Sequence, residues 1–240
     1  MSLSRNREAG RAVSALVNSS SSLPSTVLSN PRTTRVAGFI LGTATLLMLM
    51  AISHHPVAQR RHGLETLQAM VQLGPMDRLV HGSLIAIIFA MIFSFTVYTL
   101  GRSRLYLCVA AWVAFFAGSM GVTGAMLTDG FFVPGFAEHY VRTMPIDATP
   151  GLAILNAAAV AIQILTKFGF VALNVATLLW SSDLLLERGQ ARIVGAIGVI
   201  ASLAGMCLVI FGGTINVHSL LVIVGIQALW YLAIAWRMIR

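Results

Sequence analysis

Six apolar runs dominate this sequence, and each is close to the length that a helix needs to cross a lipid bilayer. A hydrocarbon core of about 30 Å requires about 20 helical residues. The six runs are Val36–Ser53, Leu79–Leu100, Leu105–Thr128, Gly151–Ser182, Ile193–Phe211 and Val217–Trp236. Only 10% of the residues are charged, against about 25% in soluble domains. We therefore predict an all-α bundle of six transmembrane helices over residues 35–240, with the lipid bilayer as its first partner.

The distribution of arginine predicts the orientation of this bundle. If the N-terminus is cytoplasmic, eleven arginines fall on the cytoplasmic side and four on the other side. Positive residues are concentrated on the cytoplasmic side of membrane proteins, so we expect both termini to be cytoplasmic. The membrane is then a bacterial inner membrane or, alternatively, a mitochondrial inner membrane. This topology also accounts for the net charge of +8, and the sequence has no basic patch that indicates nucleic-acid binding.

The N-terminal region differs in composition from the rest of the chain. Residues 1–34 are rich in Arg, Ser, Thr, Asn and Pro and include four consecutive serines from Ser19 to Ser22. Such a segment has too few apolar residues to form a core, so we predict a disordered cytoplasmic tail. Its Arg- and Ser-rich composition overlaps that of organellar transit peptides, which is the reason for the mitochondrial alternative.

The outer loops contain three local signals. Apolar residues at helical spacing predict a short amphipathic surface helix over 63–74, ended by Gly74-Pro75, with Asp77 capping the second span. Asp129-Gly130 predicts a turn after the third span. Thr149-Pro150 predicts the start of the fourth span, with threonine as its cap.

The fourth span carries a polar stripe that includes the only lysine of the chain. At about 100° per residue, five of its polar residues fall within roughly 20° of one line on the helix surface. They are Asn156, Gln163, Lys167, Asn174 and Ser181. A charged amine in hydrocarbon costs about 2.5–3.5 kcal/mol, so the stripe predicts a buried ligand site with Asp129 as the counter-ion of Lys167. Two alternatives are that Lys167 extends to the outer surface and that the stripe joins helices by hydrogen bonds.

On this topology, all six histidines lie at or near the outer face. His81 and His218 lie about one turn inside spans 2 and 6, and His139 adjoins an acidic residue. Asp77 precedes His81 by four residues, a spacing that lets a carboxylate hold an imidazole on one helix face. Such groups at one level can bind zinc, copper or iron, or one haem, so the candidate ligands are His81, His218, His139 and Asp77. The alternative is that these are ordinary interfacial polar residues.

Three functional hypotheses follow from these patterns. The first is a transporter-like or ligand-responsive protein in which Lys167, Gln163, Asn174, Asn156 and Asp129 handle a polar or anionic solute or a proton. The second is a redox protein with one metal ion or haem at the outer face. The third is a non-catalytic accessory subunit that binds partner helices in a homo-oligomer or a larger membrane complex. The sequence contains no nucleophile–histidine–acid arrangement that would predict an enzyme class. An intramembrane zinc hydrolase is a further alternative.

Overall fold

The computed structural model of the protein describes residues 30–55, 63–102, 105–143 and 148–240. Over these residues every regular element is a helix, and there is no strand. The helices are α1 Pro31–Ser53, α2 Leu64–Leu100, α3 Leu105–Leu127, a π-helix Thr128–Phe132, α4 Val133–Thr143, α5 Thr149–Leu185, α6 Gln190–Phe211 and α7 Val217–Ile239. Six long helices are apolar enough to cross a membrane. The prediction of an all-α protein with six membrane-spanning helices is therefore confirmed.

The six crossings define two faces of the bundle. The face with Pro31, Arg102 and Ile239 carries both ends of the helical region and is called the terminal face. The opposite face, with Ser53 and Asp129, is called the loop face. The distribution of arginine predicts that the loop face is the outer one, and this assignment stays a prediction.

Helix starts follow local capping chemistry. At the start of α1, the Asn30 side chain accepts a hydrogen bond from the backbone N–H of Arg32 at 3.0 Å, and a proline occupies the first turn. Residues 31–34 therefore belong to α1 and not to the predicted tail, whose residues 1–29 lie outside the described ranges. The expected threonine cap of α5 is wrong by one position, because Ala148 precedes the helix and Thr149 is already helical.

The predicted break at Gly74-Pro75 is wrong, because α2 runs without interruption from Leu64 to Leu100. A proline inside a helix costs about 3 kcal/mol. That cost is offset on the loop face, where the first turns of α2 pack against α4 and the start of α5. Leu67 is fully buried there with Tyr140 and Leu155, and each such side chain contributes about 1.5–3 kcal/mol. The expected surface helix is thus part of a small helical cap, and Asp77 lies inside α2 instead of capping it.

Glycines let the membrane helices pack with their backbones in contact, as the small residues of spans 3 and 5 predict. A Cβ on Gly118 in α3 would lie 2.7 Å from the carbonyl oxygen of Gly169 in α5. A Cβ on Gly195 in α6 would lie 2.8 Å from the carbonyl oxygen of Ser181 in α5. Both distances are too short for any side chain, so α5 is held closely between α3 and α6.

The terminal half of the bundle is filled by stacked aromatic rings and closed by ion pairs. Phe95 of α2 stacks on Trp180 of α5, with ring centroids 4.7 Å apart, and lies 6.0 Å from the ring of Trp230 in α7. Nε of Arg102 donates to the buried carboxylate of Asp183 at 2.8 Å. Arg102 and Arg237 also pair with the carboxylate of Glu187. These contacts join α2, α5 and α7 at the terminal face.

Candidate metal and ligand site

Two histidines and an aspartate converge at the loop face. His55 follows the end of α1, His81 lies in α2, and Asp129 lies in the π-helix. Nε2 of His81 is 3.2 Å from Nε2 of His55 and 3.3 Å from a carboxylate oxygen of Asp129. One metal-ligating atom from each of the three residues lies within 4.8 Å of the other two. Three separate elements of the fold therefore meet at one point.

The orientation of His81 is determined by its own helix and by Gly130. Nδ1 of His81 is 2.8 Å from the backbone carbonyl oxygen of Asp77, one turn earlier in α2. Because a carbonyl can only accept, Nδ1 carries the proton, and Nε2 of the neutral ring presents a lone pair. A Cβ on Gly130 would lie 2.4 Å from Cβ of His81, so the absence of a side chain there makes room for the ring. His81 is only 4% exposed and is held from both sides.

The arrangement of these groups favours a proton or a cation between them. The Nε2 lone pair of a neutral His81 faces the Asp129 carboxylate at 3.3 Å, and two acceptors at that distance repel unless a proton or a cation lies between them. In a tetrahedral zinc site with bonds of about 2.0–2.1 Å, neighbouring ligand atoms are about 3.3 Å apart. The observed 3.2 Å and 3.3 Å agree with that spacing. The third pair, His55 with Asp129, lies within 4.8 Å, so two imidazoles and one carboxylate form a candidate set of three ligands for a divalent transition-metal ion, which would leave the fourth position of a tetrahedral site open.

A haem does not fit between the two imidazoles. Two nitrogens on opposite sides of one iron, each bonded at about 2.0 Å, would be about 4 Å apart. Nε2 of His55 and Nε2 of His81 are 3.2 Å apart, and their rings are nearly perpendicular with centroids 4.9 Å apart. The geometry favours a single ion over a porphyrin.

The three residues lie at the mouth of a cavity of about 220 Å³. Gln163 also lines the mouth, where Nε2 of Gln163 donates to the carbonyl oxygen of Ile215 at 2.8 Å and the Ile215 N–H donates back to Oε1 of Gln163 at 2.9 Å. Apolar side chains from five helices form most of the wall, among them Met48, Leu84, Ile88, Met91, Phe115, Leu173 and Val224. The cavity therefore combines a polar mouth with an apolar interior.

The polar stripe of the fourth span is divided among different environments. Among the predicted ligand-binding residues, Gln163 and Asp129 line the cavity, whereas Lys167, Asn156 and Asn174 are not among the described residues that form its wall. Asn156 is exposed, and Lys167 is half-buried. Asn174 is fully buried and donates to the carbonyl oxygen of Phe170 at 2.7 Å.

The lower part of the stripe packs against glycines of α6. A Cβ on Gly205 would lie 2.4 Å from Oδ1 of Asn174, and a Cβ on Gly198 would lie 2.0 Å from Oγ of Ser181. These polar side chains therefore occupy the space that the glycines leave open. Asn174 and Ser181 thus pack α5 against α6, but the described residues show no hydrogen bond from either side chain to another helix.

Of the four predicted metal ligands, His81 alone belongs to the convergent group among the described residues. His218 and His139 are exposed. Asp77 contributes its backbone carbonyl to His81, and the side-chain carboxylate beside His81 comes instead from Asp129. The sequence analysis assigned Asp129 to Lys167 as its counter-ion and did not include His55 among the candidate metal ligands. One sequence feature could have identified His55 and Asp129: each follows the end of a predicted span at the face where His81 lies.

Together, the fold and the cavity describe a multi-pass α-helical membrane protein with a candidate metal-binding group at the mouth of an internal cavity. Comparisons with known protein families, with curated proteins and with solved structures find no match for this chain. The chemistry of its own residues is therefore the basis of the functional proposal.

Proposed function

We propose that this membrane protein binds one divalent transition-metal ion at its outer face and uses the open coordination position to hold a ligand in the cavity. The metal ligands are Nε2 of His55, Nε2 of His81 and a carboxylate oxygen of Asp129. Imidazole and carboxylate together suit zinc, copper, iron or nickel, and zinc serves as the reference ion. The loop face is outer in this proposal because of the predicted orientation.

The observation that carries the proposal is the environment of His81. Its Nδ1–H donates to the Asp77 carbonyl oxygen at 2.8 Å, and metal-bound histidines commonly donate such a hydrogen bond from the ring nitrogen that does not bind the metal. Its Nε2 then faces two further ligand atoms at 3.2 Å and 3.3 Å. A buried imidazole held in this way favours a cation at the site over solvent.

The proposal modifies the ligand-binding hypothesis drawn from the sequence. Gln163 and Asp129 keep a place beside the ligand because both line the cavity. Lys167 and Asn156 have no place beside the ligand in this proposal. The solute is bound by a metal ion instead of by the ammonium group of Lys167.

Elemental analysis of the purified protein in lipid nanodiscs, after loading with zinc and desalting, tests the proposal. Wild-type protein should retain one metal ion per chain, and His81→Ala should retain none. His139→Ala is the matched control, because His139 is an exposed histidine outside the group, and it should retain the ion. Metal-free wild-type protein, or equal retention by His81→Ala, would refute the proposal.

A further inference from the structure

The cavity lies inside a closed ring of helices. The six membrane helices contact one another in the order α1, α2, α3, α5, α6, α7 and back to α1. Five of them line the cavity, so the cavity runs parallel to the helices. Its wall on α2 extends from His81 to Met91, and its wall on α7 extends from Val217 to Tyr231. By helical rise, these stretches are about 15 Å and about 20 Å long.

Aromatic side chains form the floor of the cavity. Phe115 and Tyr231 are the deepest lining residues on α3 and α7. Both rings contact Phe95, with centroids 4.6 Å and 5.2 Å from its own, and Phe95 belongs to the aromatic stack of the terminal half. The cavity is therefore open at the loop face and closed within the bundle.

The ionisable groups that face the cavity lie at its mouth. Among the described residues of the wall, the ionisable ones are His55, His81 and Asp129 at the mouth and Tyr231 at the floor. The hydroxyl oxygen of Tyr231 and Nε2 of Gln227 have almost no accessible surface, so neither atom faces the cavity. A cavity of about 150 Å³ with an apolar wall stays dry and binds benzene. The interior of this cavity therefore favours hydrocarbon over water.

The size of the cavity limits the length of a hydrocarbon chain inside it. In proportion to benzene with its six carbons in about 150 Å³, the volume of about 220 Å³ holds about nine carbon atoms. A fully extended chain advances about 3.6 Å over three bonds, so nine carbons span about 11 Å. This length is shorter than the wall of about 15 Å on α2. Volume and length thus both fit one unbranched chain of about nine carbons, and the volume excludes a second chain beside it.

The open position of the proposed metal ion suits the head group of such a chain, because zinc commonly accepts carboxylate oxygen as a ligand. We infer that the cavity binds a medium-chain monocarboxylate, with its carboxylate on the metal at the mouth and its chain along the cavity. The place of the carboxylate rests on the proposed function, whereas the place and length of the chain rest on the cavity alone. Decanoate, which has nine carbons beyond its carboxyl carbon, is the reference molecule.

Equilibrium dialysis of radiolabelled decanoate against zinc-loaded protein in nanodiscs tests the inference, with protein-free nanodiscs as the blank for uptake by lipid. Wild-type protein should bind one decanoate per chain above this blank. At equal concentration in the lipid, decanol should compete at least about tenfold more weakly, because its neutral hydroxyl lacks the anionic oxygen that zinc accepts. Octadecanoate should also compete at least about tenfold more weakly, because its chain needs about twice the volume of the cavity.

Two tryptophan substitutions in α2 test the place of the chain. Ile88 lines the cavity, so Ile88→Trp should fill the space and abolish saturable decanoate binding while zinc is retained. Phe89→Trp is the matched control, because Phe89 is the next residue of α2 but is 54% exposed and is not among the described residues that form the wall. It should bind decanoate as the wild type does.

Wild-type protein that retains zinc but shows no saturable decanoate binding would overturn the inference and leave the metal proposal intact. Equal competition by octadecanoate would overturn the place of the chain in the cavity. Unchanged decanoate affinity after chelation of the zinc would overturn the place of the carboxylate. These three results need no variant to fold. Wild-type protein that retains no zinc would refute the metal proposal, and the place of the carboxylate with it, by elemental analysis alone.

Discussion

Replacing Gly130 by alanine should detach His81 from the metal. The new Cβ would lie 2.4 Å from Cβ and 2.5 Å from Cγ of His81, so the ring or the π-helix must move by about 1 Å to reach an ordinary contact. Metal–ligand distances tolerate changes of only about 0.2 Å. Mutating a group that orients a metal ligand commonly lowers metal affinity by about 10- to 100-fold. Because Gly130→Ala displaces the ligand itself, we expect zinc affinity to fall by at least about a hundredfold. The overpacking itself should cost about 1–3 kcal/mol of stability.

Gly225→Ala provides the matched control, because Gly225 is helical and a Cβ there meets no atom within 4 Å. Alanine stabilises an open helical position by about 0.5–1 kcal/mol relative to glycine, so the two substitutions should shift stability in opposite directions. Zinc affinity is measured by competition with a chromophoric chelator, and stability by thermal unfolding in the same nanodiscs. Wild-type zinc affinity in a folded Gly130→Ala protein would refute the proposed seating of His81.

Three further predictions concern packing, charge and the lysine of α5. Gly198→Ala should lower stability by about 1–3 kcal/mol in thermal unfolding, because its Cβ would lie 2.0 Å from a buried hydroxyl oxygen of α5; an unchanged unfolding temperature would contradict that packing. Lys167→Met should leave zinc affinity unchanged, and a tenfold loss would return Lys167 to the site. Partial burial raises the pKa of Glu187, but the hydrogen bond from Arg237 and the charge of Arg102 lower it below its ordinary value of 4.5. The resulting stability is present above that pH and is lost as the pH falls through the lowered pKa. Because the Glu187 side chain is 38% exposed, Glu187→Gln should cost about 1 kcal/mol or less at neutral pH, and its difference from wild type in unfolding temperature should disappear on acidification.

The membrane helices could be predicted from the sequence because lipid imposes a local rule. Every backbone polar group in hydrocarbon must be satisfied within its own helix, so the length and apolarity of a segment such as Val217–Trp236 are sufficient. Outside hydrocarbon this rule weakens, and tertiary contacts decide. In the sequence, Pro75 predicts the end of a helix. In the structure α2 continues through Pro75, because burial of Leu67 and Leu155 in the cap on the loop face stabilises the turns before it.

From the sequence, the depth of the site in the membrane could be predicted, but the residues that meet there could not. Sequence reasoning placed the histidines at one face, but it ranked them by their position within a span, which favoured His218 over His55. Which imidazoles meet depends on the contact of α1 with α2 and on the π-helix that carries Asp129. No periodicity of an α-helix predicts a π-helix, and such turns are frequent at functional sites.

The helices pack tightly at the terminal face and separate around a cavity at the loop face, and this asymmetry favours the loop face as the place of the proposed binding. Rings from α2, α5 and α7 stack in the terminal half, where Asp183 is paired and only 3% exposed. In the loop half, these three helices line a cavity together with α1 and α3. A ligand can occupy that space without repacking the stacked half, because the aromatic contacts already hold the helices in place. Binding by such a preformed cavity loses little conformational entropy, so the affinity should depend mainly on the proposed metal group at the mouth.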